Sequence, residues 1–123
     1  GAAPTYAYQL PWRSPAEGGR RISQHTLDLP FMFDNVAKAP HLTGPETDET
    51  RALAQAMSET WISFARTGDP NNAAIPTWPP YDVADRPVML FDAPPRLAHD
   101  PYAAERRFMA RYETQQMGRA LHR

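Results

Sequence analysis

One histidine in an unusual setting is the first candidate for chemistry in this sequence. His25 follows a loop that contains the pair Gly18-Gly19, and it precedes the apolar run LPFMF at residues 29–33. A histidine held on a loop between ordered elements can accept and return a proton near neutral pH. By residue type and position alone, His25 could pack, bind a metal or move a proton, and a lone histidine beside an apolar run is more often structural.

The remaining histidines, His41, His99 and His122, are predicted to be solvated surface residues. No pair among the four histidines has the short spacing of a zinc motif, and the chain has no cysteine. The sequence therefore predicts neither a metal site nor a disulfide. It also has no glycine-rich phosphate loop, because Gly18-Gly19 is only a turn, so no cofactor is expected.

The charge balance argues against a nucleic-acid partner and an anionic membrane surface. The 123 residues have a formal net charge of −1, with 13 Lys and Arg scattered among 14 Asp and Glu. No apolar run approaches the roughly 20 residues that span a bilayer. The first residues, GAAPTYAYQLPW, lack the basic and apolar regions of a signal peptide. The absence of cysteine leaves the compartment open.

Proline is frequent and widely spread along the chain. The 14 prolines interrupt regular structure almost everywhere outside two segments, and their frequency is about twice the average. A chain of this length and irregularity is expected to bury little core of its own. We therefore interpret residues 1–123 as one segment of a larger domain, with no internal boundary.

Two segments are predicted to be strands, and a third is ambiguous. The alternation of Tyr6, Tyr8 and Leu10 predicts a strand of about six residues on the N-terminal side of Pro11. A short strand is also predicted from Val88 to Phe91. The run LPFMF is compatible with either a strand or a buried turn.

Residues 47–67 give the strongest helical pattern. Thr47 or Asp48 can cap the start, Gly68 can take a left-handed position at the end, and Pro70 blocks continuation. The apolar face is predicted to consist of Leu53, Met57, Trp61 and Phe64.

A second helix is predicted from about residue 101 to 118. Asp100 is the expected cap, and Pro101 would occupy the first helical position. One side of this helix would carry Met109, Tyr112 and Gln116.

The histidine segment resembles a known family. SQHTLDLPFMFDN, residues 23–35, is similar to the histidine loop of the type B carboxylesterases, the cholinesterase-like and para-nitrobenzyl-esterase-like branch of the α/β-hydrolase fold. That loop has the form Gly-x-x-His-x-x-(Asp/Glu)-(Leu/Ile)-Pro-Phe-x-Phe. The matching residues are His25, Asp28, Leu29, Pro30, Phe31 and Phe33. The chain departs from many relatives at Ile22-Ser23, where they have Gly-Ala, and at Thr26, where they have Gly or Ala.

Further motifs follow in the order of the family. LAQAMSETWISFARTGDPN resembles its helix that ends in Trp-x-x-Phe-Ala-(Arg/Lys)-Thr-Gly-(Asp/Asn)-Pro-Asn, and the match runs from Trp61 to Asn71. TYAYQLPWRSP is similar to the strand that precedes the histidine loop, and TWPPYD and RPVMLFD are similar to the segments after the helix. The resemblance covers about residues 4–110.

The resemblance implies an α/β fold class: the C-terminal part of an α/β-hydrolase fold, with the last sheet strand, the histidine loop, two main helices and Pro-rich loops, but not a complete domain. It implies that His25 is the triad histidine, the general base and acid for ester hydrolysis through an acyl-enzyme. Arg21, Gln24 and Leu27 fall at the positions that line the alcohol pocket in cholinesterase-like relatives. Asp28 is interpreted as a residue that shapes the loop, because the family supplies the triad acid from elsewhere.

The other parts of the chemistry are not in this sequence. In the α/β-hydrolase fold the chain order is nucleophile, acid, histidine. No Gly-x-Ser-x-Gly motif occurs, and Ser14, Ser23, Ser58 and Ser63 lie in predicted loops or a helix. We therefore expect an upstream part of the same esterase to carry the serine and the acid, and a small-molecule carboxylic ester to be the substrate. Residues 1–123 alone are expected to be inactive.

An alternative function is a cholinesterase-like adhesion or interaction domain that has lost activity. A serine or its replacement in the upstream Gly-x-Ser-x-Gly motif would distinguish the two. An independent small binding module would need a closed core. If the segment belongs to a larger domain, five aromatic residues are expected to be incompletely buried in this chain alone: Tyr6, Tyr8, Phe31, Phe33 and Trp61.

Overall fold

The computed structural model describes residues 3–112 as a small mixed sheet with helices packed on it. The strands are β1 (Ala7–Gln9), β2 (Pro87–Leu90) and β3 (Arg96–His99). The α-helices are α1 (Asp28–Met32), α2 (Pro40–Thr43), α3 (Asp48–Thr67) and α4 (Ala103–Met109). Short 3-10 helices occupy Ala16–Gly19 and Val36–Lys38.

The sheet has the order β1-β2-β3. β1 runs parallel to β2, with Ala7 opposite Val88, and β2 runs antiparallel to β3, with Val88 opposite Ala98. Parallel strands require a long connection. Here that connection carries the His25 loop and α3.

Both predicted strands are present, with shorter or shifted bounds, and one strand was not predicted. β1 covers three residues rather than six, and β2 begins and ends one residue earlier than predicted. β3 follows Pro94-Pro95, and its short sequence RLAH has no clear alternation of apolar residues. Its pairing with β2, rather than its own pattern, makes it a strand.

The ends of α3 agree with the sequence prediction. Thr47 caps the start: its Oγ1 accepts a hydrogen bond from the Thr50 amide, and the Thr50 Oγ1 accepts one from the Thr47 amide, over 3.1 and 2.8 Å. Gly68 ends the helix in the left-handed conformation at φ 78°, and its amide donates to the Phe64 carbonyl over 2.8 Å. Only the first half of the predicted apolar face is fully buried, because Leu53 and Met57 lie in the core while Phe64 remains 47% exposed.

Gly68→Ala should lower the free energy of unfolding by about 1 kcal/mol, because alanine at positive φ is strained. Nothing lies within 4 Å of the position of an added Cβ, so conformation rather than crowding is tested. The free energies of unfolding in urea are compared for the parent, Gly68→Ala and Ala65→Gly. Ala65→Gly removes a good helix former from the exposed side of α3. Unchanged stability in Gly68→Ala would contradict the expectation.

The core is larger than the proline content predicted. One connected cluster of buried side chains lies between the sheet, α1 and α3: Trp12, Leu27, Phe31, Val36, Leu53, Ala54, Ala56, Met57, Ile75, Trp78, Met89 and Phe91. Phe31 is 0% exposed and contacts Trp12 edge-to-face at a centroid distance of 5.1 Å. The prediction of incomplete burial is therefore wrong for Phe31. It agrees with the structure for Tyr6, Tyr8 and Trp61, which are half-buried, and for Phe33, which is 69% exposed.

The run LPFMF forms neither a strand nor a simple turn. Asp28–Met32 is the short helix α1, and the Phe33 amide donates to the Leu29 carbonyl over 3.1 Å. A single helical turn places Pro30 and Phe31 on the core side and leaves Leu29 and Phe33 exposed. A short apolar run does not show its period in the sequence, which explains the ambiguity.

The last helix differs from its prediction at both ends. α4 covers Ala103–Met109, and residues 113–118 of the predicted helix lie outside the described residues, as does Gln116 of its predicted face. Asp100 is not its cap and Pro101 is not its first residue, because the helix begins at Ala103 with Tyr102 at the N-cap. The Asp100 carboxylate instead accepts two hydrogen bonds from the Arg106 guanidinium, over 2.9 and 2.7 Å. This ion pair holds the pKa of Asp100 below its usual value, through the hydrogen bonds from Arg106 first and foremost.

Candidate active site

His25 lies exposed on a turn between the sheet and α1. The Leu27 amide donates to the Gln24 carbonyl, and the Leu29 amide donates to the Thr26 carbonyl, each over 3.2 Å. Leu27 is 1% exposed and anchors the turn in the core. The turn thus fixes the backbone around His25 while the imidazole faces away from the core.

The base of the His25 loop is closed by hydrogen bonds. The Ser14 amide donates to the Ile22 carbonyl over 3.0 Å, and the Ser23 hydroxyl donates to the Leu10 carbonyl over 2.7 Å. The buried Ser14 hydroxyl donates to the Leu42 carbonyl over 2.5 Å. Residues on both sides of the loop are therefore fastened to the end of β1 and to α2.

A further hydrogen bond connects β1 to the start of α1. The Tyr8 hydroxyl donates to Asp28 Oδ2 over 3.1 Å. Burial and this contact with the Asp28 carboxylate raise the pKa of Tyr8 above its ordinary value. The Tyr8 ring also packs edge-to-face on Trp61 at a centroid distance of 4.9 Å. The sequence predicts that Tyr8 shares one face of the strand with Tyr6 and Leu10, but it does not pair Tyr8 with an acid 20 residues away.

The residues predicted to line a substrate pocket divide into two groups. Arg21 is exposed and forms an ion pair with Glu17 over 2.9 Å. It also donates to Gln24 Oε1 over 3.2 Å, while Gln24 Nε2 is buried without a hydrogen-bond partner among residues 3–112. These two side chains lie on the same loop as His25. Leu27, the third predicted residue, packs in the core cluster.

The two departures from the family pattern coincide with unusual backbone geometry. Ile22 has φ 53° and Thr26 has φ 68°, and both are β-branched residues in the left-handed region. That conformation is costly for a β-branched side chain and is free of strain for glycine. The His25 turn is therefore flanked by strained residues at two positions where the family resemblance predicts smaller ones.

Thr26→Gly should raise the free energy of unfolding by up to about 1 kcal/mol, because it relieves strain at positive φ. Ala37→Gly provides the matched control in an exposed 3-10 helical position and should lower stability by about 0.5–1 kcal/mol. Urea unfolding of the two variants beside the parent measures both effects. A loss of stability in Thr26→Gly equal to that of the control would contradict the assignment of strain.

A groove opens between β1 and the second half of α3. Its volume is about 390 Å³, and its lining is Pro4, Thr5, Tyr6, Tyr8, Thr60, Trp61, Phe64, Pro70 and Trp78. Tyr6 contacts Trp78 edge-to-face at 5.5 Å and Phe64 at 6.1 Å. The incompletely buried aromatic residues of β1 and α3 thus form one continuous apolar surface.

The other histidines do not assemble a second site. His41 lies exposed in α2, and His99, at the end of β3, is paired through Nδ1 with Asp85 Oδ2 over 2.7 Å. His122 lies outside the described residues. Within residues 3–112, no three His, Asp or Glu side chains converge in a way that could hold a metal ion.

No helix among residues 3–112 combines the length and apolarity needed to cross a membrane.

Comparisons with known proteins agree with the motifs. The sequence model of the carboxylesterase family matches residues 1–109. The chain is 31% identical over 105 residues to the para-nitrobenzyl esterase of Bacillus subtilis (strain 168), covering 85% of this chain and 21% of that protein. It is 33% identical over 90 residues to the phenmedipham hydrolase of Pseudarthrobacter oxydans, covering 71% of this chain and 18% of the relative.

The fold comparison gives a similar result. A solved structure of a PNB esterase superposes with a TM-score of 0.77 at 28% identity, and the match covers 90% of this chain and 22% of that one. The chain thus spans about a fifth of the length of the relatives that it matches.

Proposed function

The chain belongs to the carboxylesterase family, and on that premise we propose that it is the C-terminal portion of a serine carboxylic-ester hydrolase, in which His25 is the general base and acid. The small sheet and helices are part of an α/β-hydrolase fold. The substrate class is a small-molecule carboxylic ester. Residues 1–123 form one segment of that domain without an internal boundary.

The presentation of His25 carries this proposal. Its imidazole is exposed, its backbone is held by the turn, and neither ring nitrogen is hydrogen-bonded to another side chain of residues 3–112. By contrast, His99 is paired with Asp85. A histidine with a fixed backbone and a free ring can receive a serine and an acid from elsewhere in the protein.

The chemistry assigned to His25 is proton transfer in both halves of the reaction. Imidazole takes the proton of a serine hydroxyl as the serine oxygen bonds to the ester carbonyl carbon, and it gives that proton to the leaving alcohol. Water then attacks the acyl-enzyme, and the same imidazole takes a proton from the water and returns it to the serine. Asp28 is bonded to Tyr8, which supports a role in shaping the loop rather than as the triad acid.

The groove between β1 and α3 supports a packing partner from the upstream part of the esterase. β1 lies at one end of the sheet order, and no strand pairs with its outer side within residues 3–112. Phe33, directly after α1, is also largely exposed. We propose that the upstream part covers these surfaces and contributes the serine and the acid.

Arg21, Gln24 and Leu27 are proposed to border the space for the alcohol part of the ester. The exposed Arg21 and the Gln24 Nε2, which has no hydrogen-bond partner within residues 3–112, support this assignment for two of them. Leu27 would contribute through packing, because its side chain is buried under the turn.

A serine-directed fluorophosphonate probe tests the proposal in the full-length protein. We expect one modified serine outside residues 1–123, located by peptide mass spectrometry, and no labelling in His25→Ala, because the serine needs its base. Labelling of Ser14, Ser23, Ser58 or Ser63 would contradict the proposal. A protein that neither reacts nor hydrolyses esters would instead be the inactive adhesion or interaction domain.

A further inference from the structure

The hydrogen bond between β1 and the start of α1 suggests how the orientation of His25 is set. We propose that Tyr8 is a positioning residue for His25 that acts through Asp28, an inference that rests on the proposed function. The Tyr8 hydroxyl and the Asp28 carboxylate are 3.1 Å apart across 20 residues of chain. This contact is part-buried, and it joins the strand β1 to the first residue of α1.

The backbone couples the position of Asp28 to that of His25. Asp28 is the first residue of α1, and the Leu29 amide that follows it donates to the Thr26 carbonyl. Because Leu27 is buried between them, the chain from His25 to Asp28 has little freedom to rotate as a whole. Fixing the Asp28 carboxylate therefore fixes the direction in which the turn presents His25.

The Tyr8 hydroxyl is a rigid anchor. The ring is held edge-to-face by Trp61 at 4.9 Å and by Phe91 at 5.9 Å. The backbone of Tyr8 lies in β1, opposite Met89 in the parallel pair with β2. A tyrosine whose pKa is raised remains a hydrogen-bond donor at neutral pH.

Such an anchor has a kinetic purpose in this setting. Proton transfer requires the imidazole to lie within about 0.5 Å of its productive position, and a displacement of 1 Å can lower the rate by about 10²-fold. Ile22 and Thr26 have strained conformations on either side of His25. Relaxation of that strain would move the imidazole, and the hydrogen bond from Tyr8 to Asp28 opposes this movement.

Tyr8→Phe in the full-length esterase tests the inference, because it removes only the hydroxyl. We expect kcat for p-nitrophenyl acetate to fall roughly tenfold, with KM changed by less than about twofold. Asp28→Ala should have a similar effect, and Asp28→Asn, which keeps an acceptor oxygen, should recover part of it. The double variant Tyr8→Phe/Asp28→Ala should lose no more than Asp28→Ala alone.

Tyr102→Phe is the control. Tyr102 is exposed at the start of α4, outside the groove and the His25 loop, and its hydroxyl has no hydrogen bond within residues 3–112. Its kcat should equal that of the parent. Thermal unfolding of every variant verifies that the rates are measured on folded protein, and if Tyr8→Phe does not fold, the comparison of Asp28→Ala with Asp28→Asn decides.

The possible results separate this inference from the proposed function. Retention of the parent kcat in Tyr8→Phe while His25→Ala is inactive overturns the inference alone. Additive losses in the double variant also overturn it, because they show that the two residues act independently. Retention of parent turnover in His25→Ala overturns the proposed function and the inference with it.

Discussion

Residues 1–123 prepared alone are expected to hydrolyse p-nitrophenyl acetate no faster than their own His25→Ala variant. An imidazole can transfer a proton, but ester hydrolysis through an acyl-enzyme also needs a nucleophilic serine and an oxyanion site. The sequence has no Gly-x-Ser-x-Gly motif, and the Ser14 hydroxyl is committed to the Leu42 carbonyl. Initial rates at equal concentrations measure the difference.

Circular dichroism of the isolated chain and of its variant controls for folding, since exposed aromatic residues such as Phe33 favour aggregation of the free segment. A rate above the His25→Ala background that saturates with substrate would mean that the segment contains a complete catalytic site, because direct attack of an exposed imidazole on this activated ester does not saturate. That result would contradict the proposal that the nucleophile lies elsewhere in the protein.

His25→Ala in the full-length protein is expected to lower kcat for the same ester by roughly 10³-fold or more, because members of a catalytic triad act as a unit. KM should change far less, since the imidazole acts mainly during proton transfer. Steady-state kinetics of the purified variant beside the parent gives both parameters.

His41→Ala is the matched control for this variant. His41 is also exposed, but it lies in α2, outside the loop that carries His25. Its kcat should remain within about twofold of the parent, as expected for a surface substitution away from the site. Equal losses in the two variants would point to a general effect on the fold and against a specific role for His25.

Local patterns in the sequence were sufficient to predict the parts of the fold that local interactions determine. α3 has a threonine cap at Thr47, an apolar spacing and a terminal Gly68, and all these interactions join residues within a few positions of one another. The family motif identified the loop of His25, and the structure places this residue on an exposed turn. Those features needed no knowledge of distant contacts.

Other features depend on distant contacts, and the sequence did not reveal them. β3 is a strand because it pairs with β2, and Phe31 is fully buried because Trp12 and α3 cover it. Asp100 looked like a helix cap, but Arg106 competes successfully for its carboxylate. Local sequence patterns do not determine which of several possible partners a side chain contacts in the fold.

The candidate site shows the same division. Its residue types and the position of His25 followed from the family motif, whereas the bond from Tyr8 to Asp28 became visible only in the fold. The family pattern has a small residue at the position of Thr26, which indicated only that this position differs. The positive φ of Thr26 in the structure shows that the difference is a strained backbone conformation.

The pH dependence of kcat/KM in the full-length protein, measured for the parent and for His25→Ala, tests the central claim most directly. A general base must be neutral to accept a proton. We predict that activity of the parent rises through a single ionisation as pH increases. The residual activity of His25→Ala should lack this ionisation. A variant with near-parent activity and the same inflection would show that His25 is not the base.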